Sequence, residues 1–229
     1  YGNIVYRGDI MLNKNLKILI IMGHGGRDSG AVHGKLVERD MNVITGTALA
    51  DLLLFNGFNV TLEPNNGDVN YEQKIANGYD LVISVHFNSG GGDGFECFCN
   101  PNNKETVAIC KAIEKRVQAI GQNSRGIKSG IGYKMVSGIE PNAIILEGGF
   151  IDNPNDSKLF DEVHEQKKLG QAYGYGILDY FGVKPKEEST KKKGYRVVTG
   201  FYSEKENALK EQERLKAKGI DSFLAYTEV

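Results

Sequence analysis

Hydrophobic residues follow two different patterns along the first 182 residues of this chain. Short, nearly continuous apolar runs that end at glycine or polar residues predict buried β-strands at 17–23, 80–87 and 143–147. Longer stretches with apolar residues three and four positions apart predict helices. These helices are predicted at 38–56, 104–120 and 168–181. Weaker patterns predict strands at 57–62, 95–98 and 133–136 and a short helix at 71–77.

The alternation of strands and helices predicts an α/β fold. We expect an open, twisted and largely parallel sheet with helices on both faces. Only a short glycine-rich turn separates the run at 95–98 from the strand before it. A parallel connection needs a longer crossover, so we expect 95–98 to be an antiparallel edge strand.

The pattern changes at Val183, which predicts a domain boundary. Residues 184–193 contain lysine, glutamate and proline without apolar residues, as is typical of a linker. Residues 194–229 predict a small strand-helix-strand unit, with strands at 195–199 and 222–226 and a helix at 203–218. Ser203 and Glu206 form a capping-box pattern at the start of that helix.

The chain is therefore expected to comprise a main domain at 16–183, a linker and a small C-terminal unit. A unit of about 36 residues can hardly bury a core of its own. We therefore expect it to dock on the main domain or to pair with its counterpart in a second chain, as in a homodimer. Residues 1–15 are expected to be an N-terminal extension or a remnant of recombinant production.

Composition narrows the function classes. The formal net charge of -1 over 229 residues gives no electrostatic case for nucleic acid as a partner. No apolar run approaches the roughly 18 residues that predict a membrane span. The N-terminus lacks the layout of a signal peptide, so we expect synthesis in the cytoplasm. The three cysteines, Cys97, Cys99 and Cys110, lack metal-type spacing, and we expect buried thiols rather than a disulfide framework.

Candidate chemistry lies where three predicted strands end. His24, His86 and Glu147 each follow or end an apolar run, and Glu38 begins the first long helix. Ligands bind outside the carboxyl ends of strands in open α/β sheets, so these four side chains could meet. Two imidazoles and a carboxylate are one ligand set of catalytic zinc, and a further carboxylate could act as general base. Taken singly, each histidine could be structural, and Glu38 could be favoured by the helix dipole alone.

Other polar residues near these runs carry weaker signals. His33 is expected in a loop near the site and His164 on the surface, so neither is a preferred ligand. Asn88 could orient a ligand, line the cleft or serve as a plain turn residue. Glycines at 23, 25, 26, 148 and 149 would allow sharp turns beside His24 and Glu147.

The ordered motifs resemble the zinc-dependent N-acetylmuramoyl-L-alanine amidases of bacteria and their phages, over about residues 16–182. The motifs are Gly23-His24-Gly25-Gly26, Glu38 with Asn42, Ser84-Val85-His86-Phe87-Asn88, Gly94-Phe95-Glu96, Arg125-Gly126-Ile127-Lys128 and Leu146-Glu147-Gly148-Gly149. The resemblance implies that His24, Glu38 and His86 hold Zn²⁺ and that Glu147 is the catalytic acid/base. It also implies cleavage of the amide between N-acetylmuramic acid and L-alanine in peptidoglycan, in a phage endolysin or a bacterial autolysin that acts on the cell wall. Ile21-Met22 stand where family members often have Asp-Pro, a departure that removes no ligand.

Residues 194–229 resemble half of a SPOR-type peptidoglycan-binding domain. Such a unit would hold an enzyme on its polymer; a dimerisation or packing element is the alternative. For the whole chain, the alternatives are a non-catalytic wall-binding or regulatory protein and another zinc hydrolase, such as a carboxypeptidase or deacetylase. A purely structural zinc site usually has four protein ligands rich in cysteine, which this pattern lacks.

Overall fold

The computed structural model describes residues 16–64, 68–186 and 204–218. The chain divides into two compact units, residues 1–186 and 187–229. In chain order, the first unit contains β1 (Lys17–Met22), β2 (Val32–His33), β3 (Leu36–Val37), α1 (Glu38–Phe55), β4 (Asn59–Pro64), α2 (Val69–Ala76), β5 (Leu81–Asn88), β6 (Phe95–Cys99), α3 (Lys104–Ala119), β7 (Ser124–Ser129), α4 (Lys134–Ser137), β8 (Asn142–Phe150), α5 (Pro154–Leu159) and α6 (Val163–Tyr180).

The first unit has the predicted α/β architecture. Its main sheet has the strand order β4-β1-β5-β8-β6-β7. The first four strands in that order run parallel to one another, and β6 pairs antiparallel with β8. A separate two-stranded hairpin, β2–β3, precedes α1.

Two predictions about strands are wrong, the first of them only in part. The run at 95–98 is antiparallel as expected but is not at the edge, because β7 pairs with its other side in parallel. β7 was not predicted, since its residues are polar and only partly buried and give no strand signal. The predicted strand at 133–136 is the short helix α4, in which the consecutive residues Met135 and Val136 are both buried. Neighbours along a strand point to opposite faces, so an apolar pair covered on one side suits a helical turn.

Helices cover both faces of the sheet. One core contains residues of α1, α3 and α6 packed on the sheet, and the other contains residues of α2 and α4. α6 lies close to its neighbours because it carries glycines where the helices touch. A Cβ at Gly170 would overlap the carbonyl oxygen of Thr45 in α1, and one at Gly176 would lie 2.5 Å from Cα of Ile113 in α3.

The cysteine prediction is correct about burial and about the free thiol of Cys99, but wrong about Cys97 and Cys110. Cys97 on β6 and Cys110 on α3 form a disulfide, with Cα atoms 6.1 Å apart, and Cys99 is a buried free cysteine. Cys97 and Cys99 do share a face of the strand, as their alternation predicted, and both lie in the core beneath α3. Sequence spacing could not show that α3 brings Cys110 opposite Cys97.

In the second unit the structure describes α7 (Lys205–Ala217), with Glu204 rather than Ser203 at its N-cap position. The predicted strands at 195–199 and 222–226, Ser203, most of the linker and residues 1–15 lie outside the described residues. Among the described helices, none is long and apolar enough to cross a membrane.

Candidate metal centre

A row of polar side chains crosses the sheet where β5 and β8 approach their carboxyl ends. His86 on β5 is the register partner of Glu147 on β8, and Glu147 is the register partner of Glu96 on β6. Register partners on neighbouring strands point to the same face, so the three side chains lie side by side. The sheet topology therefore creates the row from residues 61 positions apart in sequence.

His24 enters this region from the loop after β1. Its backbone has φ of 62°, a left-handed conformation that is uncommon for residues other than glycine. Nδ1 of His24 lies 2.8 Å from Oδ2 of Asp28, and Oδ1 of Asp28 accepts a hydrogen bond from the Gly30 N–H. Asp28 thus orients the imidazole so that Nε2 faces Glu38. Backbone strain of this kind often occurs at functional sites.

Glu38, the first residue of α1, is the centre of the cluster and is only 4% exposed. Its Oε1 lies 3.1 Å from Nε2 of His24 and 3.1 Å from Nδ1 of His86. The Phe87 N–H donates to the same oxygen, and the Ala31 N–H donates to Oε2 at 2.9 Å. One candidate ligand atom from each of His24, Glu38 and His86 lies within 4.8 Å of the other two.

The electrostatics of the cluster favour a positive charge between these groups. The hydrogen bond to Glu38 is the main cause that raises the pKa of His24 to about 9. Burial alone would raise the pKa of Glu38, but hydrogen bonds from His24 and His86 outweigh burial and lower it well below its ordinary value. A buried carboxylate that stays ionised between two imidazoles is suited to a divalent cation, for which nitrogen and oxygen donors of this kind are ligands.

Two glycines let the surrounding loops lie against the cluster. A Cβ at Gly23 would overlap the imidazole of His86. Gly30 has φ of 63°, and a Cβ there would lie 2.6 Å from Oε2 of Glu38 and 2.6 Å from Cδ2 of His24. Larger residues at either position would displace a candidate ligand.

Glu147 stands beside the three candidate ligands rather than among them. Its Oε2 is buried and has no hydrogen-bond partner among the described residues. Burial is the main cause that raises the pKa of Glu147 to about 7; the nearby negative charges of Glu38 and Glu96 raise it further, while His86 opposes the shift. A carboxyl group with a pKa near neutrality can both accept and return a proton at physiological pH.

Three further polar residues support the site, and of these Ser84 and Asn42 were not assigned a role from the sequence. Ser84 Oγ lies 3.1 Å from Nε2 of His86, and Asn42 donates from Nδ2 to the Gly23 carbonyl oxygen at 2.8 Å. Ser84 stands two positions before His86, so strand periodicity alone could have placed it on the same face. Asn88 donates from Nδ2 to Oε2 of Glu96 at 3.2 Å, which makes it a partner of this carboxylate.

The remaining histidines lie outside the cluster. His33 is an exposed residue of the β2–β3 hairpin. His164 is exposed near the start of α6, where Nε2 lies 2.9 Å from Oε1 of Glu165. Within the described ranges, only His24, Glu38 and His86 form a group that could hold a metal ion.

Comparisons with known proteins identify related chains. A family profile of N-acetylmuramoyl-L-alanine amidases matches residues 18–179, and a SPOR-domain profile matches residues 165–226. A sporulation-specific N-acetylmuramoyl-L-alanine amidase of Bacillus subtilis is 30% identical over 218 residues, which cover 91% of this chain and 84% of the relative. The amidase CwlM of Bacillus licheniformis is 28% identical over 222 residues, covering 93% of this chain and 86% of the relative.

A solved structure also matches. The catalytic domain of the amidase CwlV from Bacillus (Paenibacillus) polymyxa has a TM-score of 0.66 and 25% sequence identity, covering 73% of this chain and 99% of that domain. The amidase profile spans most of the first unit, including every residue of the candidate metal centre. The chain therefore belongs to the N-acetylmuramoyl-L-alanine amidase family.

Proposed function

We propose that this protein is a zinc-dependent peptidoglycan hydrolase that cleaves the amide between N-acetylmuramic acid and the L-alanine of the stem peptide. The observation that carries this proposal is the convergence of His24 and His86 on the buried carboxylate of Glu38, with Glu147 beside them. The family relationship supports the reaction type. The three candidate ligands support zinc, because catalytic zinc sites commonly have three protein ligands and one open position.

Each residue has a distinct role in this proposal. His24, Glu38 and His86 would hold the ion, which supplies Lewis-acid polarisation of the scissile carbonyl and of the attacking water. Glu147 accepts a proton from that water on its carboxylate as the new C–O bond forms. Glu147 then returns the proton to the alanine nitrogen as the C–N bond breaks, so that the peptide leaves as a neutral amine. Asp28 and Ser84 keep the two imidazoles oriented throughout.

The second unit is proposed to bind peptidoglycan. The SPOR match at residues 165–226 supports this role, and dimerisation through the same unit is the alternative. Relatives include both an endolysin of Bacillus phage SPP1 and the sporulation-specific amidase, so a phage or a host role is consistent with the family. In either role we propose synthesis in the cytoplasm and action on the cell wall.

The first test separates metal binding from proton transfer. Glu147→Gln should retain zinc and lose at least about 100-fold in turnover, since positioned acid/base groups contribute roughly 10²–10⁴-fold. His24→Ala should lose both zinc and activity. His164→Ala is the matched control, because this exposed histidine lies outside the cluster. Full zinc occupancy in His24→Ala, or wild-type turnover in Glu147→Gln, would contradict the assigned roles.

Product analysis distinguishes the proposed function from its alternatives. Mass spectrometry of digested cell walls should find intact glycan strands and stem peptides with a free alanine N-terminus. A carboxypeptidase would shorten the peptides, and a deacetylase would release acetate instead. A non-catalytic wall-binding protein would produce none of these products with zinc present.

A further inference from the structure

Arg125 lies at the end of the polar row and is not part of the mechanism above. It belongs to β7, the edge strand beside β6, and its Nε donates a hydrogen bond to Oε1 of Glu96 at 2.8 Å. Glu96 is in turn the register partner of Glu147. The row therefore extends from the candidate metal centre to a guanidinium group at the edge of the sheet.

The guanidinium is held in a fixed orientation. Its Cζ lies 5.3 Å from the centre of the Phe150 ring, and Glu96, which is 6% exposed, is also fixed by Asn88 at its second oxygen. A surface arginine that needed only a counter-ion would not require a buried carboxylate and an aromatic ring. These contacts remove most of the rotamer freedom that an arginine loses when it binds a ligand.

The other donors of this arginine remain available. The side chain is 43% exposed, and its two terminal nitrogens have no hydrogen-bond partner among the described residues. The terminal N–H groups form a planar fork that matches a carboxylate. Because Glu96 offsets the charge of Arg125, recognition would depend on directed hydrogen bonds more than on net attraction.

The spacing fits a substrate that crosses the strands. Neighbouring strands are about 4.8 Å apart, so the backbone of β7 lies about 10 Å from that of β8. An extended peptide covers at most about 3.6 Å per residue, so the second peptide residue after the scissile amide begins within about 7 Å of it. The side chain of Arg125 is long enough to reach back over β6 and close the gap between these two distances.

We propose that Arg125 is a specificity-determining residue that binds a free carboxylate on the second peptide residue beyond the scissile amide. This inference rests on the proposed amidase function, since it places the scissile bond at the candidate metal centre. Asn88 and Glu96 act as positioning residues for Arg125.

Two synthetic substrates test the proposal: N-acetylmuramoyl-L-alanyl-D-isoglutamate and N-acetylmuramoyl-L-alanyl-D-isoglutamine. They differ only at the second peptide residue, where the first has a free carboxylate and the second has a carboxamide. The wild type should show a KM at least about 10-fold lower for the carboxylate, as expected for a hydrogen bond between charged groups. Arg125→Gln should bring the ratio of the two KM values close to 1 with a smaller change in kcat. Arg125→Lys should retain part of the preference for the carboxylate substrate. The double variant Glu96→Gln/Arg125→Gln should behave like Arg125→Gln, and it does not leave the buried carboxylate of Glu96 without its arginine partner.

Arg116→Gln is the matched control, because Arg116 forms its ion pair with Asp179 between α3 and α6. It should leave the KM ratio unchanged. An equal loss on both substrates in Arg125→Gln, or a wild type without preference, would overturn the role of Arg125 and leave the amidase function intact. If the wild type cleaves neither substrate and also releases no alanine N-termini from cell walls, the proposed function fails instead. Equilibrium binding of the two product dipeptides to wild type and Arg125→Gln then tests Arg125 without catalysis.

Discussion

At the scale of single residues, the site combines two glutamate side chains whose pKa values are shifted in opposite directions. Glu38 receives four hydrogen-bonding contacts and has a lowered pKa, whereas one oxygen of Glu147 has no partner and its pKa is raised. The two environments explain why one glutamate suits a cation and the other suits a proton. This division follows the general way in which active sites separate the roles of two acids.

The raised pKa of Glu147 predicts a pH-dependent effect on stability in metal-free protein. Below about pH 4.5 the carboxyl group is protonated in both the folded and the unfolded protein, so its burial does not lower the free energy of unfolding. Between about pH 4.5 and 7 the unfolded chain releases the proton while the folded protein retains it, so the wild type loses stability as pH rises. Glu147→Gln avoids this loss and should exceed the wild type by about 2 kcal/mol above pH 7, a value reduced for partial exposure.

Denaturant unfolding at pH 4, 6 and 8 with a chelator would measure this difference. Glu140→Gln is the control, because Glu140 is exposed. A stability difference between Glu147→Gln and the wild type that is the same at all three pH values would contradict the raised pKa.

At the scale of elements, α6 holds the two neighbouring helices against the sheet by close approach. Its glycines at 170, 174 and 176 face α1 and α3, where a Cβ would meet atoms of those helices. α1 carries Glu38 at its first turn, so the packing of α6 also fixes one candidate ligand. Glycine has a low helix propensity, so close packing against α1 and α3, rather than propensity, explains the glycines at these positions.

Gly176→Ala should destabilise the protein by about 1–3 kcal/mol, in spite of the better helix propensity of alanine. The added Cβ would lie 2.5 Å from Cα and 2.7 Å from N of Ile113, and backbone atoms cannot move aside easily. Gly132→Ala is the matched control, since nothing lies within 4 Å of a Cβ there. Thermal unfolding of both variants would decide the point, and equal melting temperatures would refute it.

The sequence predicted the elements that have strong apolar patterns. β1, β5, β8 and the helices α1 and α3 were found, because burial on both faces or on one helical stripe leaves a periodic signal. β7 was missed because an edge strand with polar side chains has no such period. The start of α6 was placed five residues late, since its first turn, beginning at Val163, is mostly polar and exposed.

The same reasoning explains what was found at the site. Histidines and glutamates at strand ends were visible as polar residues that interrupt apolar runs. The Cys97–Cys110 pair and the contact between Arg125 and Glu96 depend on which strands are neighbours, and a single sequence does not reveal that order.

At the scale of the whole molecule, the chain joins a catalytic unit to a second unit that begins near residue 187. The amidase match ends at residue 179 and the SPOR match extends to residue 226. If the second unit holds the enzyme on its polymer, it affects the local concentration of substrate and not the chemical step.

Truncation after Lys186 should therefore affect polymeric and soluble substrates differently. We expect the truncated protein to keep wild-type kcat on a soluble muramoyl peptide and to lose 10-fold or more in initial rate on dilute cell walls. Parallel assays on both substrates, with sedimentation to measure binding to walls, would show this. A loss of equal size on both substrates would indicate a structural role for the second unit. A change from dimer to monomer on truncation would indicate dimerisation through that unit.

The order of strands across the row has a consequence for how this scaffold can change. The candidate ligands come from the loop after β1, from the start of α1 and from β5. Glu147 comes from β8, and the proposed peptide contact comes from the edge strand β7. An edge strand has only one neighbour in the sheet, so β7 does not pair with β5 or β8, the strands that carry His86 and Glu147. Position 125 is thus a place where a new peptide preference could be selected in the laboratory while the reaction itself stays the same.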